Sequence, residues 1–193
     1  MIAKVTLFAT AQAFTRSAFL RYTPTAVLGS FMSTTKTYAP PCVMGDESIM
    51  APKDHGTSAT PVQQDLRWSC DVSTADRICN YNRHYAEFAG YWETTTFLSE
   101  EKNGPLEFYD SNTGKLLFTS PKGRTWADFV KESKAHGWPS FRDEEVNWEY
   151  VRVLPDGETV SVDGTHLGHN LPDGKGNRYC INLVSVAGKP EAA

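Results

Sequence analysis

Cysteine is scarce in this 193-residue chain: there are four, Cys42, Cys70, Cys79 and Cys180. No two stand in the Cys-x-x-Cys spacing of a zinc knuckle or a thioredoxin-type motif. So few thiols at this length argue against a secreted disulfide scaffold. Long apolar runs are missing too, and none approaches the length that crosses a bilayer. The formal net charge is −4, with no basic stripe to meet nucleic acid. Acid is absent from the first 45 residues, which hold Lys4, Arg16, Arg21 and Lys36 but no Asp or Glu before Asp46. The remainder carries 15 Lys+Arg against 23 Asp+Glu, a net of −8.

An acid-free, Ser-, Thr- and Ala-rich start is the composition of a targeting presequence, so residues 1–45 are set apart from the fold. Val5–Ala9 is a short apolar run, and Ala11-Gln12-Ala13 before Phe14 is a small-x-small cleavage pattern. Together they resemble the leaders of plastids that lie behind extra membranes. A mitochondrial presequence is the second reading and a merely loose terminus the third. The expected destination is an organelle, plastid or mitochondrion. Residues 46–65, with Pro52, Gly56 and Pro61 and little apolar periodicity, read as a linker. One domain over 66–190 is left, with enough Trp, Tyr and Phe to fill a core.

Within that domain His84–Phe88 reads as a helical turn ending at Gly90. Leu106–Asp110 and Leu116–Phe118 flank the turn Ser111-Asn112-Thr113-Gly114 as a hairpin. Thr125 is an N-cap with Asp128 three residues on, and Trp126, Phe129 and Val130 give a helix its apolar face. That helix is expected to stop near His136-Gly137. Trp148–Leu154 and Thr159–Val162 form a second hairpin about Pro155-Asp156-Gly157. Asp173–Asn177 is a tight loop leading into Arg178–Leu183, whose period-two alternation sets Arg178, Cys180 and Asn182 on one face and Tyr179, Ile181 and Leu183 on the other. The fold class is mostly β, antiparallel, with short helices.

Two imidazoles, a guanidinium and a lone thiol fall close together in Gly164-Thr165-His166-Leu167-Gly168-His169 and Arg178-Tyr179-Cys180-Ile181-Asn182. A thiolate is a strong nucleophile, and Arg178 beside it favours the anion. An imidazole titrates near neutrality, which suits His169 or His166 to general-acid work. Each residue also has a plainer reading. Cys180 alone is a small buried hydrophobe. The two histidines with Cys180 and Asp173 make a possible four-ligand metal set. Arg178 and Asp173 make a surface pair of little worth. Trp138 is by default a core aromatic.

Three strings in order, His136-Gly137-Trp138-Pro139-Ser140-Phe141, Gly164–His169 and Arg178–Asn182, resemble the signature segments of methionine-R-sulfoxide reductases, type B. Ala89-Gly90-Tyr91-Trp92 adds a weaker match. The resemblance covers roughly residues 80 to 187. It implies two antiparallel sheets, a β-tent-like fold, and reduction of methionine-R-sulfoxide, free or in oxidised proteins. By position it makes Cys180 the catalytic cysteine, with His169, His166 and Asn182 around the sulfoxide oxygen. Trp138 and Phe141 fall at the substrate, with Arg178 and Asp173 beside them. The implied product on Cys180 is a sulfenic acid, followed by a disulfide that thioredoxin or a similar dithiol reduces. Many family members carry a structural zinc on two Cys-x-x-Cys pairs. The matching positions here are Asp110, Thr113, Val160 and Asp163, so no zinc and no other cofactor is expected. The family's frequent resolving cysteine is replaced by His136, leaving Cys79, or Cys70, as the candidate resolving thiol; a Cys70–Cys79 disulfide is the competing reading. The other functional classes left open are a non-catalytic ligand-binding module on the same fold and a cysteine-based peroxide sensor.

Overall fold

The structure is a computed structural model that describes residues 36–100 and 104–190. The greater part of the expected presequence therefore lies outside the described residues. Among those described, no helix is long and apolar enough to cross a membrane.

The chain after residue 36 enters the domain sooner than its composition suggests. Val43 accepts from Val153 N (3.0 Å) and Gly45 donates to Val153 O (2.9 Å), so residues 43–45 run beside a strand of the main sheet. Residues 46–65, expected as a linker, are also tied down. Met50, Ser58 and Val62 are buried, Thr57 Oγ1 donates to Gly164 O (2.7 Å), and Gln63 N donates to Ser111 O (2.8 Å). Polar and Pro-rich composition hid this segment because its order comes from backbone pairing with distant strands, a contribution that periodicity does not record.

A short helix, α1 (Val72–Asp76), runs on through a wider turn, Arg77–Tyr81. The hairpin β1 (Leu106–Tyr109) and β2 (Leu116–Ser120) makes the smaller sheet. Next comes α2 (Trp126–His136), with both hydrogen bonds of a capping box at Thr125 and Asp128 and a left-handed Gly137 closing it. The larger sheet holds β3 (Ser140–Phe141), β4 (Val151–Val153), β5 (Glu158–Ser161), β6 (His166–Asn170) and β7 (Tyr179–Ile181), in the order β3-β7-β6-β5-β4, antiparallel throughout. Residues 84–88, expected as a helical turn, are irregular instead.

The core between the sheets is aromatic. Phe141 stacks on Phe118 (4.4 Å between centroids), meets Phe108 edge-on (4.9 Å), and lies near Phe129 of α2 (5.5 Å). Such pairs contribute about 0.5–1.5 kcal/mol each beyond their area burial. Phe141 was expected at the substrate. It is fully buried in this cluster, and its role is to fix β3.

Candidate active site

The strand register builds the site. Ser140 pairs with Cys180 across β3–β7, Cys180 with His169 across β7–β6, and His169 with Glu158 across β6–β5. Directly opposed residues have Cβ atoms about 4.5–5.5 Å apart, so these four side chains form one polar row across the sheet. β6 and β7 approach closely because Gly168 of β6 carries no side chain to meet β7. A Cβ there would stand 2.1 Å from the Cys180 carbonyl oxygen.

Period-two alternation would put His166 and His169 on opposite faces. The β5–β6 register shifts instead, from Thr159↔Gly168 to Val160↔His166, and leaves Leu167 as the extra residue of a bulge. Both imidazoles then reach the same pocket, edge to face with centroids 5.9 Å apart. The pocket holds about 180 Å³ and is lined by Cys180, His169, His166, Trp138, Tyr85 and Leu171, among others.

The thiol of Cys180 is partly open to this pocket. Arg178 Nη1 touches its Sγ, and Ser140 Oγ stands 3.8 Å away. Tyr179, Ile181 and Leu183 are fully buried, as the alternation predicts. Arg178 in turn sets Nε 3.3 Å from Asp173. The Asp173 carboxyl is held well below the usual carboxylate range, chiefly by its hydrogen bond from Arg142.

The two histidines differ. Burial, aided by the charge of His169, pushes His166 down to about 3. Its Nδ1 meets the carbonyl of Ile78 (3.2 Å), which can only accept, so that nitrogen carries the proton. Nε2 is buried without a hydrogen-bond partner, 3.9 Å from Glu158. Glu158 is engaged by Arg83, whose Nε donates to both of its oxygens at 2.9 Å. His169 is half-buried and faces the thiol across the strand pair.

Sequence reading missed the arm that closes the pocket. Glu87 is buried, and its two carboxyl oxygens accept from Leu183 N (2.9 Å) and Val184 N (3.2 Å). Its own N–H donates to Asn182 Oδ1 (3.0 Å), and its carbonyl accepts from Trp138 Nε1 (3.0 Å). Trp138 therefore presents a fixed apolar wall. Asn182, expected beside the sulfoxide, lines the pocket, and it also donates through Nδ2 to Leu167 O (3.0 Å), bracing the arm to the sheet. Ahead of Glu87, the Arg77 guanidinium lies 4.0 Å over the Tyr85 ring. Composition held no sign that Glu87 would turn inward.

Cys79 is fully buried with Sγ 3.5 Å from Ser185 Oγ, and burial pushes its thiol far up. Cys70 is pushed up to about 12 for the same reason, and both are free thiols. The positions that resemblance matched to zinc ligands do not fit a thiophilic ion. Asp110 is fully buried and accepts from Thr165 Oγ1 (2.9 and 3.0 Å) and Asn112 N (2.8 Å). Asp163 pairs with Lys115 (2.9 Å), and Val160 packs with Met50 and Leu154. Two turns are thus joined by hydrogen bonds and an ion pair, and among the described residues no cluster of three or more His, Cys, Asp or Glu could hold a metal.

No family model matches the chain, and no solved structure does. Known proteins are similar to it. The peptide methionine sulfoxide reductase MsrB of Leifsonia xyli subsp. xyli is 43% identical over 100 residues, 41% of this chain and 71% of that protein. The protein of the same name from Thiobacillus denitrificans is 31% identical over 140 residues, 66% of this chain and 93% of its own. That of Pasteurella multocida is 38% identical over 96 residues, 39% and 72% respectively.

Proposed function

Because this chain belongs to the MsrB family of peptide methionine sulfoxide reductases, we propose that it reduces methionine-R-sulfoxide, free or in oxidised proteins, at Cys180. The observation that carries this reading is the register row Ser140–Cys180–His169, which opens on a small pocket walled by Trp138. At about 180 Å³ the pocket is below the ~300–1,000 Å³ of drug-sized ligand sites, a fit for one thioether side chain.

The thiolate of Cys180 attacks the sulfoxide sulfur with Arg178 against it. Negative charge develops on the sulfoxide oxygen and is met by a proton from His169. His166 is a poor donor here, since burial keeps it neutral and its one N–H is spent on Ile78 O. Oxygen passes to Sγ, methionine leaves, and Cys180 is left as a sulfenic acid. A thiol of an external dithiol, thioredoxin or similar, then attacks that sulfur and releases water. The reductant's second thiol breaks the mixed disulfide and restores Cys180. The exposure of Cys180 to the pocket supports this direct route. A disulfide with Cys79 requires the Arg77–Tyr81 turn to open first, because that thiol is fully enclosed.

The same reading has no cofactor and no zinc, supported by the Asp110–Thr165 and Lys115–Asp163 links, and elemental analysis checks it. Organellar residence rests on the composition of residues 1–45 alone. Incubation of the protein with each diastereomer of methionine sulfoxide and dithiothreitol tests the activity. R-selective turnover that vanishes in Cys180→Ser is the expected result. Binding without turnover replaces the enzyme by a binding module, and neither outcome leaves the peroxide sensor.

A further inference from the structure

We infer that Arg142 is a positioning residue for the Cys180 thiol, acting through Asp173 and Arg178; this rests on the reading of Cys180 as the nucleophile. Arg142 directly follows β3, and its side chain is only 12% exposed. Nη1 and Nη2 reach the two oxygens of Asp173 at 3.1 and 2.8 Å. Nη1 also donates to Asn177 O (3.0 Å), and Nε to Glu132 of α2 (3.1 Å). A chain of charge-assisted contacts thus runs Glu132–Arg142–Asp173–Arg178–Cys180, from the helix to the sulfur.

The reason Asp173 needs holding lies in its loop. It precedes Gly174 and Gly176, and within the loop its carboxylate accepts only from Lys175 N (2.8 Å). The carboxylate also sits beside Arg178, whose guanidinium must face the sulfur. With both oxygens engaged by Arg142, the pull of Asp173 on Arg178 is divided, and Nη1 stays on Sγ. With Arg142 gone, Asp173 competes with the thiolate for the same guanidinium. The other groups facing Cys180 are His169 across β6, the Ser140 hydroxyl across β3, and His166, Arg83 and His84 around the pocket. None of these contacts Arg142. Its charge is offset by its direct partners Glu132 and Asp173, so its influence on the sulfur passes through Asp173.

The test measures the iodoacetamide alkylation rate of the Cys180-bearing peptide against pH, by mass spectrometry, on the full chain without sulfoxide. Because no turnover is read, its failure is separate from failure of the proposed activity. R142Q moves the midpoint of the profile upward by about one pH unit, the low end of what a neighbouring opposite charge does. R142K keeps the charge without the two-pronged grip and moves it less, in the same direction. If R142Q does not fold, R142K alone carries the test. In a D173N background R142Q adds no further movement. An unmoved profile in folded R142Q or R142K, or an equal shift with and without Asp173, overturns the assignment.

Discussion

Replacing Glu87 by glutamine isolates the buried acid that anchors the 84–88 arm over the pocket. Burial pushes its carboxyl up to about 8, against the pull of the Leu183 and Val184 N–H groups. In the unfolded chain the same carboxyl ionises near its ordinary value of 4.5. At pH 6.5 the folded protein therefore holds a proton that the unfolded chain has lost. The group's contribution to stability is complete below pH 4.5 and is lost as pH rises through 8. His166 acts oppositely: pushed down from 6.5 to about 3, it contributes stability above pH 6.5 that is lost as pH falls. Between pH 6.5 and 8 Glu87 dominates: His166, half-protonated in the unfolded chain at pH 6.5, gains back only about 0.4 kcal/mol, equally in both proteins. Linkage over that interval gives a loss of between about 1 and 2 kcal/mol, or about 3–6 °C in Tm for a domain of this size. Glu87→Gln removes the slope. Its amide cannot accept from both N–H groups, so it costs about 1–3 kcal/mol at pH 6.5. Urea unfolding of both proteins at pH 6.5 and 8 is the assay. Parallel pH dependence in the two proteins refutes the reasoning.

Three further outcomes follow from the site. His169→Ala lowers turnover by about a hundredfold or more, the scale of a lost general acid, while His166→Gln lowers it far less; equal steady-state losses would divide the proton role between them. Gly168→Ala forces β6 off the Cys180 carbonyl, costing about 1–3 kcal/mol in urea unfolding and most of the activity. Unchanged stability would show that the strands can part freely. Cys79→Ala leaves turnover intact with both dithiothreitol and thioredoxin; loss confined to thioredoxin would return Cys79 to the resolving role.

Local signals were legible where local physics decides. Thr125 and Asp128 cap α2 and Gly137 ends it because those contacts lie within one turn of chain. The hairpin about Ser111–Gly114 and the alternation through Cys180 follow from the same short range. What escaped was decided at a distance. The arm at 84–88 is not helical because Glu87 is drawn to the backbone of residues 183 and 184. The shared face of His166 and His169 depends on the Leu167 bulge, which only the pairing with β5 reveals. Phe141 sits in a substrate-like string, yet the aromatic cluster claims it. Asn182 lines the pocket as expected, but its bonds to the Glu87 N–H and the Leu167 carbonyl, which hold the arm, were not legible.

The most direct measurement is a single turnover without reductant, with methionine quantified and the sulfenic acid trapped by dimedone. About one methionine per chain, with the dimedone adduct on the Cys180 peptide alone, is the predicted result. Methionine formed without an adduct at Cys180, or an adduct on another cysteine, would contradict the assignment of the nucleophile.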